Sequence, residues 1–259
     1  VLSYNGLMGA GVAASEAWMG IERLGEELIA TVRVGPVDVS FDLPAVAVSL
    51  FVTALLVAVS IWLRRGLPRE REGPLTQRAG FLAALLELSR SQLVAGFDEP
   101  LAKRVLPLTA TLFLYILLCN WIGILPIPYI VSPTQNLNVP MGMAIMVYVL
   151  AHYYALRTRG VRLHLRSYLE PNPILLPMNI VGDMGRTLSH GFRLFGNILG
   201  GAILTALAPA LLARAVFLLP FAFPVGVGLD LFFGIFVGTI QALVFALLAS
   251  AYINLAVSS

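Results

Sequence analysis

Residues 44–63, PAVAVSLFVTALLVAVSIWL, run for twenty positions without a charged side chain. As an α-helix such a run is about 30 Å long, the thickness of the hydrocarbon layer of a bilayer. Inside hydrocarbon each backbone N–H and C=O must be satisfied by protein, so a run of this kind commits the chain to a membrane helix. The alternation of lipid-facing and lumen-facing residues that a membrane β-barrel needs is missing. The rest of the chain agrees, with 58% hydrophobic and 12% charged residues among 259. That length holds five or six spans with short connections, so the expectation is a single all-α integral membrane protein.

Five spans are expected, at about 44–63, 105–125, 141–156, 174–207 and 223–257. Residues 1–43 form an N-terminal extramembrane segment and 44–259 the membrane domain. Between the first two spans, residues 75–97 mix Phe81, Leu82, Leu85 and Leu86 with Arg78, Glu87, Arg90 and Gln92. That pattern suits an amphipathic helix lying at the interface rather than crossing. Prolines in LPIPY (125–129) are expected to stop the second span, and Pro209, Pro220 and Pro224 to break the long C-terminal region into two helices. Both of those helices exceed the spanning minimum, which predicts tilt.

Arginines set the orientation. Arg64, Arg65, Arg69, Arg71 and Arg78 follow the first span and Arg157, Arg159, Arg162 and Arg166 the third, whereas the first 43 residues are richer in acid than base. The positive-inside rule then places the N-terminus outside and the C-terminus in the cytoplasm, with a bacterial inner membrane the expected location. The polar, acidic start of the chain does not have the pattern of a cleavable signal peptide. The net charge of +3 comes from arginines beside apolar spans, so nucleic-acid binding is discarded. Cys119, the single cysteine, lies in an apolar run and is expected to be a buried structural thiol. His152 and His164 have no ligand-spaced companions and are expected at the interface, not on a metal. No phosphate loop, nucleophile triad or zinc signature appears, and no cofactor or metal is expected.

The fourth span carries an unusual set of polar residues. Asn179, Asp183, Arg186, His190, Arg193 and Asn197 are spaced four, three, four, three and four apart. At about 100° per residue they share an arc of about 80°. An arginine at the bilayer centre costs about 2.5–3.5 kcal/mol on insertion scales, so it calls for an anion or a wet cavity. Its pKa lies above about 12, so it acts as a fixed charge rather than a proton carrier. The structural alternative is a buried ion pair with Asp183 or Asp230 that only ties helices together. Asp183 and Arg186, three apart, are placed to pair locally. His190 suits either a proton relay or a hydrogen-bonded packing residue.

On the last span the same arithmetic brings Asp230, Gln241 and Tyr252 within about 40° of one another. The glycine pairs of GNILG (196–200) and GIFVG (234–238) permit close helix approach, and packing within the chain is the expected use. No internal repeat of the kind found in many transporters is visible.

RLFGN at 193–197 followed by ILGG, and TIQALVFALLASAYI at 239–253, resemble subunit a of the F-type ATP synthase. SPTQNLNVPMGMAI (132–145) and NPILLPMNI (172–180) extend the resemblance, which covers the chain from about residue 44 to its end. It implies a non-catalytic membrane subunit of a rotary ATP synthase, with the ATP chemistry on other subunits. The implied partners are the c-ring, the b subunits of the peripheral stalk, the rest of the complex and the lipid bilayer. Arg193 matches the family's essential arginine, which faces the ion-binding carboxylates of the ring, while Asn197 and Gln241 match its asparagine and glutamine. The implied mechanism has two half-channels separated by that charge, carrying protons or sodium ions.

Many members have a titratable residue nine positions after the arginine and another seven before the glutamine. Here those positions are Ala202 and Gly234. Asp230 is then expected to line the outer path and Asp183 the inner, with His190 between Asp183 and the arginine; Asn179, Arg186 and Tyr252 are further candidates. Two other classes share some of these features: a stand-alone ion-coupled secondary transporter, and a scaffold that only anchors partners.

Overall fold

The computed structural model describes residues 29–34, 37–65, 77–125, 131–170, 172–214 and 217–258. The expectations for the first 28 residues, for Arg69 and Arg71 and for Pro126 and Pro128 lie outside them. An antiparallel hairpin comes first, β1 (Ile29–Val34) against β2 (Val37–Asp42), with Ile29 opposite Asp42 and Val34 opposite Val37. Short alternating strands of this kind give little signal beside apolar spans, and the hairpin is an addition to the expected helices.

Five helical segments among the described residues are long and apolar enough to cross a membrane. The first is α1 (Leu43–Arg65), whose N-terminus is capped by Asp42 Oδ1 accepting from the Ala45 amide at 3.2 Å. The next helix, α2 (Gln77–Leu93), is not one of the five. Its end is tied down by Ser250, whose hydroxyl donates to the Leu93 carbonyl, and by an ion pair between Arg90 and Glu99. The second span is α3 (Glu99–Ile122), starting six residues before the expected 105 because Pro100 suits the first turn of a helix. Span three is α4 (Asn138–Arg159). It stops at Gly160, whose φ of 82° lies in the left-handed region, and the chain turns into the short α5 (Val161–Ser167).

The fourth span is α6 (Leu176–Arg214), 39 residues long and continuous through Pro209. The expected break there does not occur. Gly226 lies against the proline ring, where an added Cβ would stand 3.1 Å from Pro209 Cγ, and membrane helices tolerate proline when neighbours pack this closely. Likewise Pro220 opens α7 (Leu219–Asp230) and Pro224 lies inside it. The last span is interrupted instead by a π-helical segment, Leu231–Val237, before α8 (Gly238–Ser258). The wheel that grouped Asp230 with Gln241 and Tyr252 assumes α-turns throughout, and it does not carry across i→i+5 turns.

Helix α8 is the axis of the core. Ala242, Ala246 and Ala249 are fully buried with Phe245 and Ile253, and their small side chains let α3 and α4 come close. At one end Ala102 and Val105 of α3 meet Ala151 and Ile253; further along, Ile116 and Leu112 meet Val147, Ala242 and Phe245. Thus α3 runs antiparallel to α8. Cys119 is buried beside Val48 and Val52 of α1, as a packing thiol should be. Leu50, Phe51, Val57, Ile61 and Trp62 point outward, as side chains in contact with lipid do.

Candidate functional site

The six polar residues of α6 do not share one environment, because their stripe straddles the edge between the packed and the open side of the helix. His190, Gly191, Leu194 and Gly201 are buried. On the other side of Arg193, within about 80° on the wheel, lie Gly182, Gly185, Ser189, Gly196 and Gly200. A Cβ built on any of these four glycines meets nothing within 4 Å. Of the two glycine motifs, then, GNILG leaves an open groove. GIFVG packs inside the chain, Gly234 on Ile124 and Gly238 on Asn120.

Arg193 is exposed on that open side and makes no hydrogen bond or ion pair among the described residues. The two aspartates that could have neutralised it are elsewhere. Asp183 accepts from Arg186 at 2.7 Å, so the local pairing expected from their spacing is present. Asn197, one turn after Arg193, donates from Nδ2 to Gln241 Oε1 at 2.5 Å and joins α6 to α8 beside the charge. His190 is 1% exposed; its Nε2–H donates to the Phe245 carbonyl at 3.1 Å and its ring stacks on Phe245 at 3.8 Å. Its Nδ1 is buried with no hydrogen-bond partner among the described residues. The edge of the same ring meets Tyr252 at 5.3 Å.

Two polar cavities flank this centre. One, of about 310 Å³, is lined by His152, Tyr168, Asn179, Asp183, Arg186 and Tyr252 among others. It lies at the end of the bundle where α4 finishes with Arg157 and Arg159. The second, of about 70 Å³, is lined by Asn120, Gln135, Asn197, Ala202, Thr205 and Asp230 among others. It lies at the opposite end, where α3 passes into the 131–137 connection. Both have room for water. Asp183 and Asp230 therefore belong to different cavities, on opposite sides of Arg193.

The smaller cavity shows why Gly234 carries no side chain. A Cβ there would come within 2.2 Å of Ile124 Cγ1, and one on Gly201 within 3.1 Å of the Phe233 ring. Asp230, four residues before Gly234, reaches the same cavity from the last turn of α7. Asn120 braces the wall, donating to the Gly238 carbonyl at 3.0 Å and accepting from Thr134 at 2.8 Å; Thr134 and Ser132 share a hydrogen bond of 2.7 Å.

In the larger cavity His152, expected at the interface, is brought to Asp183. His152 Nε2 lies 3.3 Å from Asp183 Oδ2 and 2.7 Å from the Tyr168 hydroxyl, which donates to the same Oδ2 at 2.6 Å. Asn179 holds the turn in place, donating to the Tyr168 carbonyl at 2.9 Å. The phenol of Tyr168 is raised above its ordinary value, first by burial and then by Asp183. His164, edge-on to His152 at 5.2 Å, is lowered by burial first and then by the charges of His152 and Arg159. The available signal was the spacing of Tyr148 and His152, one turn apart on the arginine-rich end of α4.

Residues 46–254 match the family model described as ATP synthase A chain. The chain is 33% identical over 213 residues to the "ATP synthase subunit a 1" of Crocosphaera subtropica, covering 82% of this chain and 86% of that one. It is 37% identical to the "ATP synthase subunit a 2" of a Picosynechococcus species, over 77% of this chain and 79% of the relative. With the "ATP synthase subunit a" of Oceanobacillus iheyensis it shares 32% identity over 81% and 88%. A helical membrane bundle with an arginine that has no partner among the described residues, set between two polar cavities, thus meets a match over most of its length: the chain belongs to the ATP synthase A chain family.

Proposed function

We propose that this chain forms two ion half-channels against a rotating ring of c subunits and couples ion flow through them to ring rotation and ATP synthesis. The observation that carries the reading is Arg193, exposed on a glycine-lined face with no ion pair among the described residues. A guanidinium facing hydrocarbon alone costs several kcal/mol on most accounts, so the face calls for an anion from outside the chain. The groove of Gly182, Gly185, Gly196 and Gly200 admits a second helix closely enough to bring a carboxylate to Arg193.

A carboxylate beside a permanent positive charge is held ionised, because the attraction favours the charged form. Each ring carboxylate passing Arg193 must therefore give up its ion on one side and take another on the far side. The cavity of Asp230 is the outer path and the cavity of Asp183 the inner one. Asn197 and Gln241 fix the helix contact beside the charge, His190 lies between Arg193 and the inner cavity, and Tyr252 lines that cavity. Asp230 takes the place of the titratable pair displaced at Ala202 and Gly234. With the arginine-rich ends of α1 and α4 in the cytoplasm, the β-hairpin lies outside and the b subunits and catalytic head are met on the inner side.

A stand-alone transporter would move ions by itself. The purified chain in liposomes is expected to give no ion flux above that of empty vesicles, and the assembled complex a flux that follows ATP turnover. Gradient-driven flux by the chain alone would overturn the proposal.

A further inference from the structure

The larger cavity contains more than a wet path. His152 Nδ1 lies 2.9 Å from the Tyr148 carbonyl oxygen one turn earlier. A carbonyl only accepts, so Nδ1 carries hydrogen and Nε2 is the nitrogen that gains or loses a proton. Nε2, the Tyr168 hydroxyl and Asp183 Oδ2 form a closed triangle with sides of 2.7, 2.6 and 3.3 Å. The phenol supplies one proton. If His152 is neutral, that proton serves either Nε2 or Oδ2, and the two remaining acceptors face each other unbridged. With Nε2 protonated, the imidazolium donates to the phenol oxygen while the phenol donates to the carboxylate, and both short contacts are filled. The triangle is built for the protonated imidazole.

We infer that His152, Tyr168 and Asp183 are a proton-holding site on the inner path. The inference rests on the half-channel reading above and names the carried ion on that side as a proton. A proton leaving a ring carboxylate is taken up at Nε2, where an N–H bond forms. It is released when that bond breaks to cytoplasmic water, leaving His152 neutral. Facing the triangle are Tyr148 from α4, His164 from α5, Asn179 and Arg186 from α6 and Tyr252 from α8, with Glu170 on the cavity wall. Arg186 donates to Asp183 Oδ1 and offsets one carboxylate charge, so His152 does not face a bare anion that would hold its proton too tightly.

The test uses the assembled complex in sealed vesicles, with ATP synthesis measured against head-side pH at constant driving force. His152→Gln keeps hydrogen-bonding capacity but cannot titrate. We expect the wild-type profile to show an inflection that the variant lacks, with the optimum rate reduced by roughly tenfold or more. Tyr168→Phe keeps the ring and its packing and is expected to shift the inflection, since the imidazolium loses one acceptor and Asp183 loses the donor that competes with Nε2 for Oδ2. A His152→Gln profile superimposable on wild type overturns the inference. If that variant does not assemble, an unshifted inflection in Tyr168→Phe overturns it. Arg193→Ala run in parallel separates the two levels: wild-type synthesis in that variant overturns the half-channel reading itself.

Discussion

Gly234 shows how a single position can close one route and leave another. Ile124 fills the space a side chain would need, so the carboxylate of the smaller cavity comes from Asp230 one turn away. Gly234→Ala would place Cβ 2.2 Å from Ile124 Cγ1 in the middle of that side chain, where a rotamer change alone gives little relief. Overpacking of this kind typically costs about 1–3 kcal/mol. The expected outcome is a lower melting temperature for the purified complex, largely restored when Ile124→Ala is added. An unchanged melting temperature would mean the helices separate there freely. That Gly234 departs from the family pattern is legible in the sequence, but its cause was out of reach, because Ile124 is supplied by the turn after α3, more than a hundred residues earlier. The pairing of His152 was out of reach for the same reason: its partner Asp183 lies on a different span, and no local spacing connects them.

Among the elements, the spans were legible because length and apolarity are local properties of a run. The polar stripe on α6 was legible because that helix stays regular from Leu176 to Arg214. The π segment was not. Its wider turns lie where α3 crosses, with Gly234 on Ile124 and Gly238 on Asn120, and this is a matter of tertiary contact. Asn120 anchors the return to α-helix by donating to the Gly238 carbonyl, and Trp121 Nε1 donates to Thr239 at 3.1 Å. Asn120→Ala leaves both the carbonyl and Thr134 short of a buried partner, a loss of about 1–3 kcal/mol. Faster amide hydrogen exchange is expected across residues 231–241, with the far end of α8 near Ile253 unaffected. Exchange unchanged in the π segment would show that Asn120 does not hold it.

At the scale of the molecule, Arg193, without a partner among the described residues, sits between two cavities lined from opposite ends of the bundle. Asp183 has three partners and Asp230 lies in the far cavity, so neither neutralises Arg193, and the ion-pair alternative raised by the sequence does not describe this chain. The proposed function supplies an anion from outside the chain, and on that proposal the site is incomplete until a ring carboxylate faces Arg193. Belonging to the ATP synthase A chain family fits that incompleteness, and the open glycine groove beside the charge gives it a direction. The most direct measurement is ATP synthesis driven by an imposed ion gradient in sealed vesicles carrying the complex with Arg193→Ala. Coupled synthesis is expected to be lost while the complex still assembles and hydrolyses ATP; synthesis at the wild-type rate would contradict the role of Arg193 as a fixed charge between two ion paths.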